Sequence, residues 1–337
     1  MKIFRRSLLL SLVGPLAFAA GPLVVTATNA AQNQLLVYDA SGHPLQTLAT
    51  GGKGGVSGNS GGIAATSSLV AVVNFGSQSV TIFDALPGRL VMSQTVPAAS
   101  SPVSVAFGNG HLYILGTTMV ESHLVFGRRI DPNPDGMVNL LKSDGSAAQV
   151  GVLPDSVVIT EKSNVIETVN VLGDGAVYGM PALVMQIPSN VDTPFGLVTR
   201  GNNAYVTIAH ADEISLVRNG AVLTTTPSGT QHAPCWVTLA GPFLYSANSP
   251  SMSVSRYAVY GQKIVQDAAV AASFNGAPTD IAAASGMLAV IDGAGSGSHL
   301  SIFTIDEDGN LTHPAVVSIN AAINGVAIVP TSTRPGF

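Results

Sequence analysis

A glutamate–lysine pair, two histidines and a set of amide and carboxylate side chains are the residues of this sequence that could do chemistry. A glutamate and a histidine can transfer protons, and an ammonium group or a histidine can stabilise a carboxylate or an oxyanion. If the protein is an enzyme, we expect Glu161 and His232 to form its proton-transfer pair. The residues that we expect to bind a ligand are Lys162, His210, Asn74, Asn248 and Asp292, with Asn29 and Asp280 near them.

The same side chains also suit ordinary structural roles, which are the simpler interpretation. Glu161 and Lys162 would then form a solvated turn, and His232 would be a capped loop residue. Cys235 follows His232 by three positions but lies inside an apolar stretch, which favours a small buried hydrophobic residue over a nucleophile. Trp236 beside it would serve packing rather than sugar stacking.

Other kinds of chemistry lack their motifs. The seven histidines do not have the spacing of a zinc site, and no Gly-x-Ser-x-Gly sequence indicates a serine hydrolase. The glycine-rich residues 51–55 are not flanked by a strand and a helix, so we interpret them as a flexible loop rather than a phosphate cradle. We therefore expect no metal ion and no cofactor.

Composition excludes two classes of partner. The chain has 14 lysines and arginines against 19 aspartates and glutamates, a net charge of −5, so no basic face for nucleic acid is expected. Hydrophobic residues make up 46% and charged residues 10%. Past residue 30, however, no apolar run approaches the roughly 20 residues that span a bilayer. The 36 glycines and 20 prolines instead suit many short strands joined by tight turns.

The first residues have the pattern of a signal peptide. Lys2, Arg5 and Arg6 precede an apolar stretch over residues 8–20, and residues 17–19 form a small-x-small cleavage site. We place the cut after Ala19, so residues 1–19 are the signal peptide and 20–337 the mature domain. The paired arginines also fit a loose twin-arginine pattern, and a membrane anchor is the rival interpretation. We expect a secreted or periplasmic protein with no membrane span after cleavage.

Internal repeats predict the fold. One apolar position recurs every 40 to 47 residues, the period of a four-stranded propeller blade. Its seven occurrences are Ile63, Val105, Val150, Leu197, Val237, Ile281 and Val326. The sequence thus predicts an all-β, seven-bladed β-propeller as one domain. Residues 23–49 would complete the blade begun by 323–329, so that N- and C-terminal strands share one blade and close the ring. Residues 117–136 look like a charged insertion.

Several segments carry a resemblance to a known family. Residues 73–74 and 247–248 end apolar strands in asparagine, and each is followed by a serine-rich turn and a β-branched strand. With residues 102–105, 158–162, 193–196 and 233–236, they resemble the YVTN-repeat propellers. More specifically, the chain is similar to the lactonase family that contains 6-phosphogluconolactonase and carboxymuconate cyclase. The resemblance implies a seven-bladed propeller and a site that opens or closes a lactone ring.

The motifs that carry the chemistry of that family are not matched. In the family a Pro-His-x-His motif opens one blade, a Pro-Arg-His motif opens the next, and an Asn-Glu-Leu motif ends that blade's second strand. The resemblance places them at residues 147–150 (Ala-Ala-Gln-Val), 194–196 (Pro-Phe-Gly) and 208–210 (Ile-Ala-His). The histidines of the first motif, the arginine of the second and the glutamate of the third are missing. The family's mechanism is thus not expected here.

Two functions from different classes stay open. The first is an exported, monomeric propeller that binds a small molecule, glycan or protein through its central pocket face. The alternative is an exported lactone hydrolase or cyclase with a rebuilt site. In either case we expect Glu161, Lys162, His210 and His232 to lie on one rim, which would carry the main polar pocket.

Overall fold

The chain folds as a ring of seven small antiparallel sheets, the predicted seven-bladed β-propeller. The computed structural model describes residues 21–185, 192–294 and 297–331, so the predicted signal peptide lies outside the described residues. In every blade the strands are paired in order from the first, innermost strand to the outermost one. Each first strand contacts the first strands of both neighbouring blades, and these contacts close the ring around a central channel.

The strand bounds follow the repeat. Blade 1 comprises Ile63–Ala65, Leu69–Asn74, Ser79–Leu86 and Arg89–Pro97; blade 2, Pro102–Gly108, His111–Gly116, Met119–Phe126 and Gly136–Asn139, with Arg129–Ile130 beside its third strand. Blade 3 comprises Ala147–Val152, Ser156–Glu161, Val165–Val171 and Val177–Leu183; blade 4, Pro194–Arg200, Asn203–Ile208, Glu213–Arg218 and Ala221–Pro227. Blade 5 comprises Pro234–Ala240, Phe243–Asn248, Ser253–Tyr260 and Lys263–Ser273; blade 6, Ala277–Ala284, Met287–Ala294, Gly297–Ile305 and Leu311–Ile319. Blade 7 comprises Asn324–Val329, Leu23–Ala27, Gln34–Tyr38 and Pro44–Ala49.

The ring is closed by strands from both ends of the chain, as the sequence predicts. Leu23–Ala27 pairs with Asn324–Val329 on one side and with Gln34–Tyr38 on the other. The Thr26 hydroxyl also donates a hydrogen bond of 2.7 Å to the carbonyl of Gly325. This arrangement leaves no unpaired edge at the junction of the two ends.

Local sequence explains why these segments form blades. Second strands such as Leu69–Asn74 are buried at every residue, because a neighbouring blade covers each face. The turn from first to second strand has two residues in blades 2, 4, 5 and 6, and in blade 2 these are Asn109 and Gly110, both with positive φ. That conformation matches the twist of a two-residue hairpin and favours asparagine followed by glycine.

Hydrophobic clusters between neighbouring blades form the core. One cluster joins blades 1, 2 and 3, and others join blades 7 and 1, 6 and 7, 3 and 4, and 4 and 5. Tyrosines in second strands add directional contacts, since Tyr113 donates 2.7 Å to the carbonyl of Gly175 in blade 3 and Tyr245 donates to Gly309 in blade 6. In the described part of the chain the helical elements are short 3₁₀ turns, and no helix there could cross a membrane.

Residues 117–136 are not an insertion, which corrects the interpretation of their charge. Met119–Phe126 is the third strand of blade 2, and Gly136–Asn139 is its fourth. Most of the charged residues lie in the connection between these two strands, which includes the short strand Arg129–Ile130. That turn is held to the blade through Asp135, whose carboxylate accepts 2.6 Å from the Ser122 hydroxyl and lies 2.7 Å from Nε2 of the buried His111.

Candidate functional site

Four of the candidate residues occupy one repeated position, at or near the end of a second strand. They are Asn74, Glu161, Asn248 and Asp292, and all are buried. The Asn74 amide donates 2.8 Å to Thr81, and its oxygen accepts 2.7 Å from Thr50. The Asn248 amide donates 2.8 Å to Ser255 in the same way. Both asparagines therefore use their polar atoms to tie strands together.

Asp292 pairs with a histidine inside its own blade. Its Oδ1 lies 3.1 Å from Nδ1 of His299, the residue directly opposite on the third strand. The carboxylate is 2% exposed, while the histidine is partly exposed. This pair lies at the same end of blade 6 as Asn248 does in blade 5.

Glu161 has a second buried glutamate as its neighbour. Its Oε1 accepts a hydrogen bond of 3.1 Å from the amide of Lys142, and Glu167 Oε2 accepts 2.9 Å from the amide of Leu141. The other oxygen of each carboxyl group has no hydrogen-bond partner among the described residues. Burial raises the pKa of both, that of Glu167 to about 7, and Asp144 adds to the effect at Glu161.

Lys162 points to a loop rather than to Glu161. Its Nζ donates 2.6 Å to the carbonyl of Gly58 and 3.3 Å to that of Ala147, and lies 5.9 Å from the centre of the Phe195 ring. Burial lowers the pKa of this ammonium group, while Asp144 partly opposes the shift. In the described ranges no ion pair joins Lys162 to a carboxylate. Its hydrogen bonds instead connect the loop at Gly58 to blade 3.

The two histidines lie together on the surface of blades 4 and 5. The side chain of His232 is 68% exposed, and its Nδ1 lies 2.9 Å from Oδ2 of Asp212. His210 is 66% exposed and lies near Asp192 and Asp212. The pKa of Asp212 is lowered, because hydrogen bonds from His232 and Ala233 outweigh the effect of burial. Among the described contacts, none joins His232 to Glu161.

The loop from Val56 to Gly61 crosses the end of the central channel where first strands begin. Lys162 of blade 3 holds its Gly58 carbonyl, and Ser60 donates its amide to the carbonyl of Ala148. The Gly61 carbonyl accepts 2.9 Å from the amide of Val105 in blade 2. We refer to residues 56–61 as the plug.

Asn59 joins the plug to three blades by hydrogen bonds. Its amide donates 2.7 Å to the carbonyl of Val103 in blade 2, and its side-chain oxygen accepts 2.9 Å from Asn324 in blade 7. Its carbonyl accepts 3.0 Å from the indole of Trp236 in blade 5. Trp236 is fixed in turn by an edge-to-face contact with Phe195, their ring centres 5.3 Å apart.

The main cavity is the channel beyond the plug, and its volume is about 640 Å³. It runs from Ser60 and Gly61 along all seven first strands to the turns that follow them, such as the turn at Asn109. The sequence predicted the main polar pocket at the opposite end, on the rim near Lys162. The difference arises because the plug occupies that mouth of the channel.

Asp280 is the one ionisable side chain that lines this cavity in the described structure. Its Oδ1 accepts 2.9 Å from the amide of Ile281, and its Oδ2 accepts 3.1 Å from Val326 in the neighbouring blade. Burial raises its pKa to about 7, although both hydrogen bonds act in the opposite direction. Most of the remaining lining is aliphatic, with Gln149, Thr199 and Thr238 among its polar residues.

The positions of the family's motifs hold structural contacts. Gln149 accepts 2.6 Å from the amide of Leu197, and Phe195 is buried against Trp236. Cys235 lies in the first strand of blade 5, and burial raises the pKa of its thiol to about 12, so it is a poor nucleophile at neutral pH. No cluster of three or more metal-binding side chains occurs within the ranges described.

Comparison with known proteins gives matches by structure. No protein-family model matches the chain, and neither does any curated sequence. A functionally unknown protein from Desulfotomaculum acetoxidans is similar with a TM-score of 0.71 at 13% identity, over 93% of this chain and all of that one. A putative 6-phosphogluconolactonase from Bacteroides fragilis has a TM-score of 0.66 at 13% identity, over 94% and 100%.

A third similar structure is that of a protein from Lactobacillus plantarum. Its TM-score is 0.65 at 14% identity, and the match covers 91% of this chain and 99% of that one. At such identities the similarity establishes architecture and leaves the chemistry to the residues themselves. In fold, the chain is a seven-bladed β-propeller similar to these solved structures.

Proposed function

We propose that this protein is an exported, non-catalytic propeller that binds a small molecule in its central channel. The observation that carries the proposal is the cavity of about 640 Å³ along the first strands, whose size is typical of ligand sites and whose lining side chains are mostly aliphatic. A ligand would enter from the face opposite the plug, past the turns between first and second strands.

The absence of a catalytic constellation in the cavity supports binding over turnover. Among the described lining residues, Asp280 has no histidine, lysine or second carboxylate beside it that could share a proton transfer. The candidate pair is not assembled either, since Glu161 is buried between strands and His232 is exposed beside Asp212. We infer that the lactonase chemistry of the family is not retained.

Export is part of the proposal and rests on the sequence. The basic residues before the apolar stretch at 8–20 and the small residues at 17–19 support it. Expression with residues 1–19 fused to a reporter enzyme should carry that reporter out of the cytoplasm. Replacement of Arg5 and Arg6 by glutamine tests the twin-arginine route, and a reporter retained in the cytoplasm with the intact segment would contradict export.

Filling the cavity tests the site. Ala282 lines the channel in blade 6, so Ala282→Trp should abolish binding of benzyl alcohol, a small apolar probe, measured by ligand-observed NMR. Val316→Trp is the matched control, because Val316 is 62% exposed on the outer strand of the same blade. Binding that survives Ala282→Trp, or no binding to the unmodified protein, would contradict the channel as the ligand site.

A lactone panel tests the claim that the protein is not an enzyme. The mature protein should hydrolyse no lactone faster than its heat-unfolded form does, as followed by proton release. Turnover at enzyme-like rates, above about 1 s⁻¹, would support the alternative of a lactone hydrolase with a rebuilt site. Loss of that turnover in Glu161→Gln and His232→Ala would then assign the catalytic pair.

A further inference from the structure

One charged group in an otherwise uncharged cavity restricts the ligands that the cavity suits. Asp280 is 4% exposed, and no other ionisable side chain lines the channel in the described residues. Placing a carboxylate there costs free energy unless a partner compensates the loss of water. The amides of Ile281 and Val326 supply one hydrogen bond to each oxygen, which leaves further lone pairs on both.

These two hydrogen bonds fix the role of the carboxyl group. Both are donated to Asp280, so the backbone orients its oxygens as acceptors. The β-bulge between Pro278 and Asp280 holds the residue at the channel. The complementary group on a ligand is therefore a hydrogen-bond donor, and a cationic donor recovers more of the cost of burial than a neutral one does.

We propose that the central channel binds small apolar molecules that carry a protonated amine, with the ammonium group against Asp280 and the apolar part along the first strands. This inference rests on the proposed function, because it names the chemical class of ligand for the same cavity. In blade 5, the lining hydroxyl of Thr238 already accepts a hydrogen bond of 3.1 Å from the amide of Ala283. Asp280 thus supplies the selective contact.

Two probes of matched shape test the inference without any mutation. Benzylamine is cationic at neutral pH, and benzyl alcohol differs from it by one neutral group. Isothermal titration at pH 8 should show benzylamine binding at least tenfold more tightly than benzyl alcohol. Because burial raises the pKa of Asp280 and an ammonium group favours the ionised carboxylate, benzylamine should release protons when it binds at pH 7, as measured in buffers of different ionisation enthalpy.

A variant pair assigns the selectivity to Asp280. Asp280→Asn should reduce the preference for the amine to about onefold and abolish proton release. Asp308→Asn, the same carboxylate-to-amide change in an exposed turn outside the cavity, should leave the preference intact. If Asp280→Asn does not fold, the comparison of the two probes on the unmodified protein still decides the question.

The outcomes separate this inference from the function on which it rests. Equal affinity for both probes and no released proton would overturn the amine assignment while leaving the channel as a binding site. Failure of both probes to bind, or binding unaffected by Ala282→Trp, would overturn both proposals.

Discussion

Glu161 and Glu167 occupy, in blade 3, the two positions where blade 5 holds the hydrogen-bonded pair Asn248 and Ser255. In each blade the first residue ends the second strand and the other lies two positions beyond its cross-strand partner. The asparagine amide donates 2.8 Å to the serine hydroxyl. No hydrogen bond joins Glu161 to Glu167 among the described residues. Burial and the charge of Glu161 instead raise the pKa of Glu167, so its protonated form is favoured where blade 5 has a neutral hydroxyl.

The protein should consequently lose stability as the pH rises from about 5 to 8. The pKa of Glu167 is raised in the folded state to about 7, above its unfolded value of 4.5, so between these values the folded state binds more protons. Asp280 acts in the same direction. Glu167→Gln should be more stable than the unmodified protein at pH 8, by on the order of 2 kcal/mol, and about equal to it at pH 5. Urea denaturation across this pH range measures both.

A surface variant provides the control for that pH profile. Glu307 lies in an exposed turn, so Glu307→Gln should leave the pH dependence of the unfolding free energy unchanged. If Glu167→Gln and the unmodified protein give superimposable profiles, Glu167 does not hold an extra proton in the folded state.

The plug should depend on Asn59. Asn59→Ala removes the hydrogen bonds to Val103 and Asn324, which should lower the free energy of unfolding by about 2 kcal/mol. Hydrogen exchange at the amides of residues 56–61 should become faster, because the loop loses its contacts with blades 2 and 7. Asn133→Ala, in an exposed turn, is the control. Equal stability and equal exchange in the two variants would show that the plug is held by other contacts.

The closing blade should be essential for folding. A chain that begins at Gln32 lacks Leu23–Ala27, the strand that pairs with both Asn324–Val329 and Gln34–Tyr38. Its loss removes two strand ladders and exposes the buried faces of blades 6 and 1. We expect this chain to melt well below one that begins at Ala20, or to aggregate, as measured by thermal denaturation followed by circular dichroism. An unchanged melting temperature would contradict the shared blade.

The fold could be predicted from the sequence because its information is local and repeated. The seven apolar positions and their spacing locate the first strand of every blade. The seventh first strand has almost no chain after it, and residues 23–49 contain strands that belong to no other blade, so the two ends are expected to share one blade. The same periodicity identified the strand ends at Asn74, Glu161, Asn248 and Asp292. It could not tell whether those side chains face the channel or lie between strands, because that depends on what packs over them.

The candidate site was less predictable because its contacts join distant parts of the chain. Asn59 meets Asn324 and Trp236, 265 and 177 residues away, and nothing in the sequence near Asn59 indicates either partner. Asp280 was recognisable as a polar residue near the channel, but its isolation there depends on the residues that all seven blades contribute. Glu167 was detectable only by aligning blade 3 with blade 5, position by position.

Crystallography with a bromine-labelled amine tests the central claim most directly. Crystals soaked in 4-bromobenzylamine should give an anomalous bromine peak inside the channel, between the plug and the turns after the first strands, with the amine within hydrogen-bond distance of Asp280. The peak should be absent from crystals of Ala282→Trp treated in the same way. Bromine found only outside the channel, at a concentration that saturates binding in solution, would contradict it.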